Sequence, residues 1–193
     1  MKTKFFTGEG DSGESRLGAV KIPKSSFLFE VLCSFDELNS WLGLCKTATG
    51  GAYVRLKNFK KDSIAILPVL KEIQEALFIA QAEVAAIGFS VEKNDKKITA
   101  AKTEYLEEVI KKIDAELPPL TKFVIAGGSE LAARLDVART FARRAEKAAV
   151  IFSGEKELSP ELLKFLNRLS SCLFALARYA NFKLGIKEEN PSY

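Results

Sequence analysis

Apolar residues recur along this chain at helical spacing, and the pattern predicts five helices. In the first, from about Ser26 to Thr47, Phe27, Val31, Phe35, Leu38 and Leu42 return every three or four positions, with Trp41 and Cys45 alongside. That period puts them on one face, and Gly50-Gly51 would end the helix. A second runs from about Asp62 to Ile87, with Asp62 or Ser63 able to cap its start. Its Leu70, Ile73, Leu77, Ala80, Val84 and Ile87 step by 3, 4, 3, 4, 3, the spacing of a bundle seam. Pro68 either bends its first turns or marks a later start. A third, from about Thr99 to Leu117, carries Tyr105, Leu106, Val109, Ile110, Ile113 and Leu117 before Pro118-Pro119 stop it. A fourth begins near Ser129, after Gly127-Gly128, and reaches about Phe152. The fifth opens with Ser159 as cap, Pro160 at the first helical position and Glu161 beside it. Its seam is Leu162, Leu166, Leu169, Leu173, Leu176 and Ala180.

No alternation of period two and no internal repeat accompanies these segments. Five helices with short connections predict an all-α, five-helix up-and-down bundle. Ahead of them, Thr7 to Gly18 places four glycines in twelve residues, a poor helix and a good loop. The expected organisation is a single domain over residues 1–193: an N-terminal segment 1–25, a bundle 26–185 and a tail 186–193.

Composition narrows the chemistry. At 193 residues, with 47 % hydrophobic and 28 % charged, the chain is ordinary globular protein. It contains no His. That excludes Ser-His-Asp and Cys-His nucleophile pairs, an H-E-x-x-H zinc site, an imidazole base near neutral pH, and His-ligated haem or di-iron centres. The net charge of +4 suits an anionic ligand but is too small to argue for nucleic acid. Cys33, Cys45 and Cys172 are far apart and odd in number, so they read as reduced, packed thiols. The first ten residues hold no long apolar stretch, and no segment has 18 apolar residues without a charge. Neither secretion nor membrane spanning is expected, and the cytoplasm is the expected location.

Three places do not fit a plain bundle. Glycines in the head can free successive backbone N–H groups into an anion-binding nest; a flexible N-terminal arm would look the same. It is not a Walker loop, since no Gly-Lys-Ser/Thr closes it. On the fourth helix Arg139, Arg143 and Glu146 share one face. They form either a solvated charged face or a cationic surface for phosphates, which guanidinium forks suit. On the fifth, Asn167 and Ser171 are i, i+4, with Arg168, Ser170 and Arg178 nearby. They make either a buried interhelical hydrogen bond or a contact to a base or ribose. The first helix adds an acidic pole, Asp36, Asn39 and Ser40, opposite its apolar stripe.

Taken together, these islands resemble the PduO-type ATP:cob(I)alamin adenosyltransferases, from Thr7 to about Asn181. Thr7-Gly8-Glu9-Gly10-Asp11-Ser12-Gly13-Glu14-Ser15-Arg16-Leu17 is similar to the family's T-G-x-G-D-x-G-x-T-x-L. Phe35 to Ser40 resembles V-D-E-L-N-S, and Leu117 to Gly128 resembles L-P-x-x-x-x-F-I-L-P-G-G. Val137 to Lys147 resembles V-A-R-T-x-x-R-R-A-E-R, and Asn167 to Arg178 resembles N-R-L-S-D-x-L-F-x-x-A-R. Each motif is moderate alone; five in register are specific.

The resemblance implies a homotrimer of five-helix subunits with sites between neighbours. It implies transfer of the adenosyl group of ATP to cobalamin, with Mg2+ as cofactor and triphosphate released. By residue, it implies that Thr7, Gly8, Gly10, Asp11, Gly13, Ser15 and Lys24 fold over the phosphates. Arg143, Glu146 and Asn167 would hold ATP and magnesium, with Glu146 the metal contact. Arg139 and Asp36 would form an intersubunit salt bridge beside the nucleotide, and Phe123 would displace the lower base of cobalamin. A flavin-dependent reductase and an adenosylcobalamin-dependent enzyme are the implied protein partners. The chain departs from the family pattern at Ser15 for Thr, Leu28 for Arg, Cys33 for Gly, Ala126 for Pro, Asp136 for His, Lys147 for Arg and Ser171 for Asp. Those losses motivate an alternative, an ATP-binding homologue with little or no turnover that serves as a sensor or chaperone.

Overall fold

The computed structural model describes residues 5–6, 8–17, 20–49, 64–91 and 94–193. In chain order the elements are β1 (Glu14–Leu17), β2 (Val20–Pro23), α1 (Phe27–Ala48), α2 (Ile66–Gly88), α3 (Ala100–Asp114), α4 (Glu130–Ser153) and α5 (Pro160–Lys183). The five expected helices are present. Three start where a serine can satisfy a free N–H of the first turn. Ser26, Ser129 and Ser159 accept through Oγ from the N–H groups of Phe29, Ala132 and Leu162. Helix α2 instead starts at Ile66, with Ala65 at the cap position and no side-chain cap. Pro68 then sits in the first turn, where its missing N–H has no intrahelical partner to lose. Asp62, Ser63 and Gly50-Gly51 lie outside the described residues.

Three expectations need correction. Helix α3 ends at Asp114, short of Leu117. The N–H groups of Glu116 and Leu117 both turn back to the Ile113 carbonyl, and the residue before Pro118 is disfavoured in helical geometry. The head is not all loop. Strands β1 and β2 pair antiparallel, from Glu14 opposite Pro23 to Leu17 opposite Val20. Three of the four β2 residues are exposed and the strand is only four residues long, too short for its Val-Lys-Ile alternation to announce it. Finally, Cys33 is exposed, and only Cys45 and Cys172 are packed. Two residues after Val31, Cys33 lies some 200° around the helix from the core-facing stripe. Burial pushes the Cys45 thiol up to about 11 and that of Cys172 up to about 12. Phe27, at the first turn of α1, is also half exposed despite its helical spacing.

Apolar side chains from all five helices join in one core cluster. The closest pairs are α4 with α5, α4 with α1, α3 with α5, and α1 with α2. Sequence neighbours α3 and α4 are not among them. Helix α4 can lie close to two partners because its inner face is rich in alanine: Ala132, Ala138, Ala142, Ala145 and Ala149 are all buried. Interaxial distance follows the size of the side chains at the contact.

One buried carboxylate ties three segments together. Glu83 of α2 is 1 % exposed. It accepts from Ile98 N–H at 2.7 Å and from the Ser159 hydroxyl. Ser159 at the same time caps α5, so the start of α5 and the lead into α3 are both fixed to α2. Glu83→Ala removes two charge-assisted bonds and strands a buried N–H. It is expected to lower stability by about 2–4 kcal/mol, read as a lower urea midpoint at unchanged slope.

Candidate functional site

With its alanines facing inward, α4 turns its polar positions toward an outer edge shared with α5. There Asn167 donates through Nδ2 to Glu146 Oε1 at 2.8 Å. Asn167 and Ser171 are both exposed, so the bond between helices is at the surface and not buried. Arg143, less than one turn before Glu146, is exposed and has no hydrogen bond or ion pair among the described residues. A free guanidinium beside an oriented carboxylate and amide is a set that can grip a phosphate and its counter-cation. Arg144 takes no part. It pairs with Glu37 of α1 and lies over the Phe141 ring at 4.7 Å, while Phe141 stacks on Trp41.

Arg139, one turn earlier, is held inside the chain. Its Nε donates to Asp136 Oδ1 at 3.2 Å, and its guanidinium carbon stands 6.0 Å from the Phe174 ring centroid. Asp36 is exposed, with no partner among the described residues. Asp136 is one of the departures from the family pattern, and its second oxygen accepts from Gly127 N–H at 3.1 Å. It therefore joins Arg139 to the loop before α4.

The head forms a compact turn system ahead of β1. Gly8 and Gly13 both adopt φ near +78°, the left-handed region where glycine is favoured. Asp11 N–H donates to Gly8 O and Gly13 N–H to Gly10 O. Lys24 closes the turn twice: its N–H donates to Gly13 O, and its ammonium donates to Gly10 O at 2.9 Å. A cavity of about 160 Å3 opens beside it, walled by Glu9, Glu14, Ser15, Arg16 and Lys21. Thr7 lies outside the described residues. The described contacts of Gly10, Gly13 and Lys24 stay within the head, and those of Glu146 and Asn167 stay on α4 and α5. No described contact within one chain joins the two halves of the expected phosphate site.

The third part is the loop over residues 118–129, which carries Phe123. The loop's backbone is held at several points. Asn181 of α5 donates through Nδ2 to Gly127 O and accepts through Oδ1 from Ser129 N–H, both at 2.8 Å. Arg178 reaches Pro118 O at 3.5 Å. The C-terminal tail adds Glu189 O, accepting from Ile125 N–H at 2.8 Å, and Asn190 Nδ2, donating to Phe123 O at 2.7 Å. Phe123 itself is 79 % exposed. Next to it the loop, the end of α5 and the tail enclose a cavity of about 440 Å3. Sequence reasoning did not find Asn181, Glu188 or Asn190. A polar residue ending the apolar seam at Asn181 was the one available signal; nothing local marks the tail.

The arrangement is a helix bundle whose outer edge offers a guanidinium, unpaired among the described residues, beside an oriented carboxylate and amide, a class suited to binding a phosphorylated ligand. The family model for cobalamin adenosyltransferase matches residues 5–180. The corrinoid adenosyltransferase of Bacillus subtilis is 35 % identical over 95 % of this chain and 89 % of its own length. The corrinoid adenosyltransferase PduO of Citrobacter freundii is 34 % identical over 90 % of this chain, which spans about half (49 %) of that longer relative. A variant PduO-type ATP:corrinoid adenosyltransferase from Lactobacillus reuteri, solved with cobalamin and ATP, superposes with a TM-score of 0.85 at 31 % identity, covering 98 % of this chain and all of that one. The chain belongs to the cobalamin adenosyltransferase family.

Gly128 tests how the loop is held. Its φ is +98°, and an added Cβ would come within 2.6 Å of the Asn181 amide. Gly128→Ala is expected to cost about 1–3 kcal/mol and to speed hydrogen exchange at Ile125 and Gly127, measured by mass spectrometry.

Proposed function

We propose that this chain moves the 5′-deoxyadenosyl group of ATP onto the cobalt of a reduced corrinoid and releases triphosphate. The observation that carries the reading is the unpaired Arg143 beside the Glu146–Asn167 pair, in a chain of this family. The nucleophile is the substrate's own cobalt. A cobalt–carbon bond forms at C5′, the C5′–oxygen bond breaks, and its electron pair leaves with triphosphate. Such a step needs no proton shuttle, which suits a chain without His.

The protein's work is alignment and charge stabilisation. Arg143 would fork onto the phosphates, and the head would fold over them with the N–H groups of Gly8 and Gly10 and the hydroxyls of Thr7 and Ser15, in a turn shaped by the Asp11 and Gly13 hydrogen bonds. Lys24 would exchange the Gly10 carbonyl for a phosphate oxygen. Magnesium is often held by one or two carboxylates plus phosphate oxygens, and the half-buried Glu146, oriented by Asn167, fits that requirement. When bound there, the ion would neutralise charge on the triphosphate. Phe123 would press against the corrinoid, excluding water and the lower ligand so that cobalt can be reduced.

The head and the α4–α5 edge make no described contact in one chain, and this supports a site shared between subunits of a homotrimer. Asp36, exposed and without a partner among the described residues, would then meet Arg139 of a neighbour. The one apolar cluster shared by all five helices among the described residues supports reading residues 1–193 as one domain. No described helix is long and apolar enough to cross a membrane, and we take the protein as cytoplasmic, supplied by a flavin-dependent reductase and serving an adenosylcobalamin-dependent enzyme. Ser171 stands where a carboxylate is usual, yet the contact between Glu146 and Asn167 forms without it. That favours turnover over a purely sensing role.

Reduced cobalamin with MgATP under anaerobic conditions is expected to give the spectrum of adenosylcobalamin. Binding of ATP without conversion would overturn the transfer, and no binding at all would overturn the site. Arg143→Ala is expected to lower kcat/KM for ATP by about 100-fold or more. Phe123→Ala is expected to impair corrinoid turnover far more than ATP binding, as measured by steady-state kinetics and calorimetry.

A further inference from the structure

The ring of Phe123 projects outward, so side-chain packing does not fix its place; its backbone must. Two hydrogen bonds do this locally, and both come from the tail: Asn190 Nδ2 to Phe123 O at 2.7 Å, and Ile125 N–H to Glu189 O at 2.8 Å. Residues 189–190 thus run beside residues 123–125 and grip them on either side of Val124. The other loop anchors act further away, on Pro118, Gly127 and Ser129.

The tail is itself anchored in the bundle. Both Glu188 carboxylate oxygens accept from Arg178, from Nε at 2.8 Å and Nη2 at 2.9 Å. Arg178 rises from α5 and is only 8 % exposed. A forked, largely desolvated pair of this kind is directional as well as strong. It therefore fixes where residue 188 sits, and the next two residues then reach the loop. Asn190 is exposed, so its amide acts on Phe123 without being part of the core.

We propose that residues 188–190 are a positioning element for the corrinoid step. Glu188 docks the tail on Arg178, Glu189 holds the backbone at Ile125 and Asn190 holds it at Phe123, so that the Phe123 ring presents to the corrinoid at a fixed height. This rests on the corrinoid role given to Phe123 above. The element acts through Phe123 and touches neither ATP nor its phosphates.

Asn190→Asp keeps the size of the side chain and replaces the donor with an acceptor; Asn190→Ala removes it. Both are made in the full chain and compared with Phe123→Ala. Each Asn190 variant is expected to lower kcat/KM for reduced cobalamin by about 3–10-fold, the range one hydrogen bond supplies. The KM for ATP and the melting temperature should stay within about twofold and about 1–2 °C of the parent. The fraction of enzyme-bound cob(II)alamin that has lost its lower base, read from its absorption spectrum, should fall as well. If Phe123→Ala lowers the corrinoid values and the Asn190 variants do not, the positioning role of the tail is overturned. If ATP affinity and melting temperature fall in step with corrinoid turnover, the tail is only structural, and the proposal is again overturned. If Phe123→Ala leaves the corrinoid values and the base-off fraction unchanged, the role of Phe123 itself fails, and the proposal with it.

Discussion

Helix α4 lies close to both α1 and α5 because its inner face is built of alanine, and the polar edge depends on that closeness. Ala138, Ala142, Ala145 and Ala149 are all but fully buried, and a helix whose contact side chains are this small can approach its neighbours tightly. Once that arc faces inward, the 3.6-residue period leaves Arg139, Arg143 and Glu146 on the remaining arc. The same closeness brings Asn167 of α5 within 2.8 Å of Glu146. Bulkier residues on this seam would separate the helices and part that pair, so the composition of the core sets the geometry of the surface.

The site is assembled by two different kinds of support. On the α4–α5 edge the side chains stand on rigid helices, and a hydrogen bond across them sets their orientation. The loop over residues 118–129 is irregular and carries an exposed aromatic, so its shape comes from backbone hydrogen bonds to Asn181, Asp136 and the tail. Functional side chains on loops are placed by the scaffold that grips the loop. For a reaction whose nucleophile belongs to the substrate, placing the two reactants is most of what a protein contributes. That is why a chain without His can serve it.

Much of the fold was legible before any coordinates. Ser26 and Ser129 as helix starts, Ser159 and Pro160 at the start of α5 and the apolar spacing of α1, α2, α3 and α5 are local signals, and the helices they mark are present. The hairpin β1–β2 was not legible, because strands of four residues are too short for an alternating pattern to stand out beside the glycines. Nor was the outward turn of Cys33, which follows from which arc of α1 the core occupies. Arg143, Glu146 and Asn167 were singled out by residue type and family motif, and the fold brings Glu146 and Asn167 into contact. The intrachain hold of Asp136 on Arg139 was not, since it depends on where the Gly127 loop returns to α4.

The sequence by itself determined the five helices, the serine cap of α5, the absence of imidazole chemistry and the cationic residue types that suit phosphate. All of these rest on residues a turn or two apart, or on composition. The tertiary structure alone decided that α3 packs on α5 and that Glu83 ties α2 to the start of α5. It alone decided that the tail meets Phe123 across 67 residues of sequence. Such contacts form between segments whose separation carries no periodic signal. They exist only after the core has closed and fixed which faces meet.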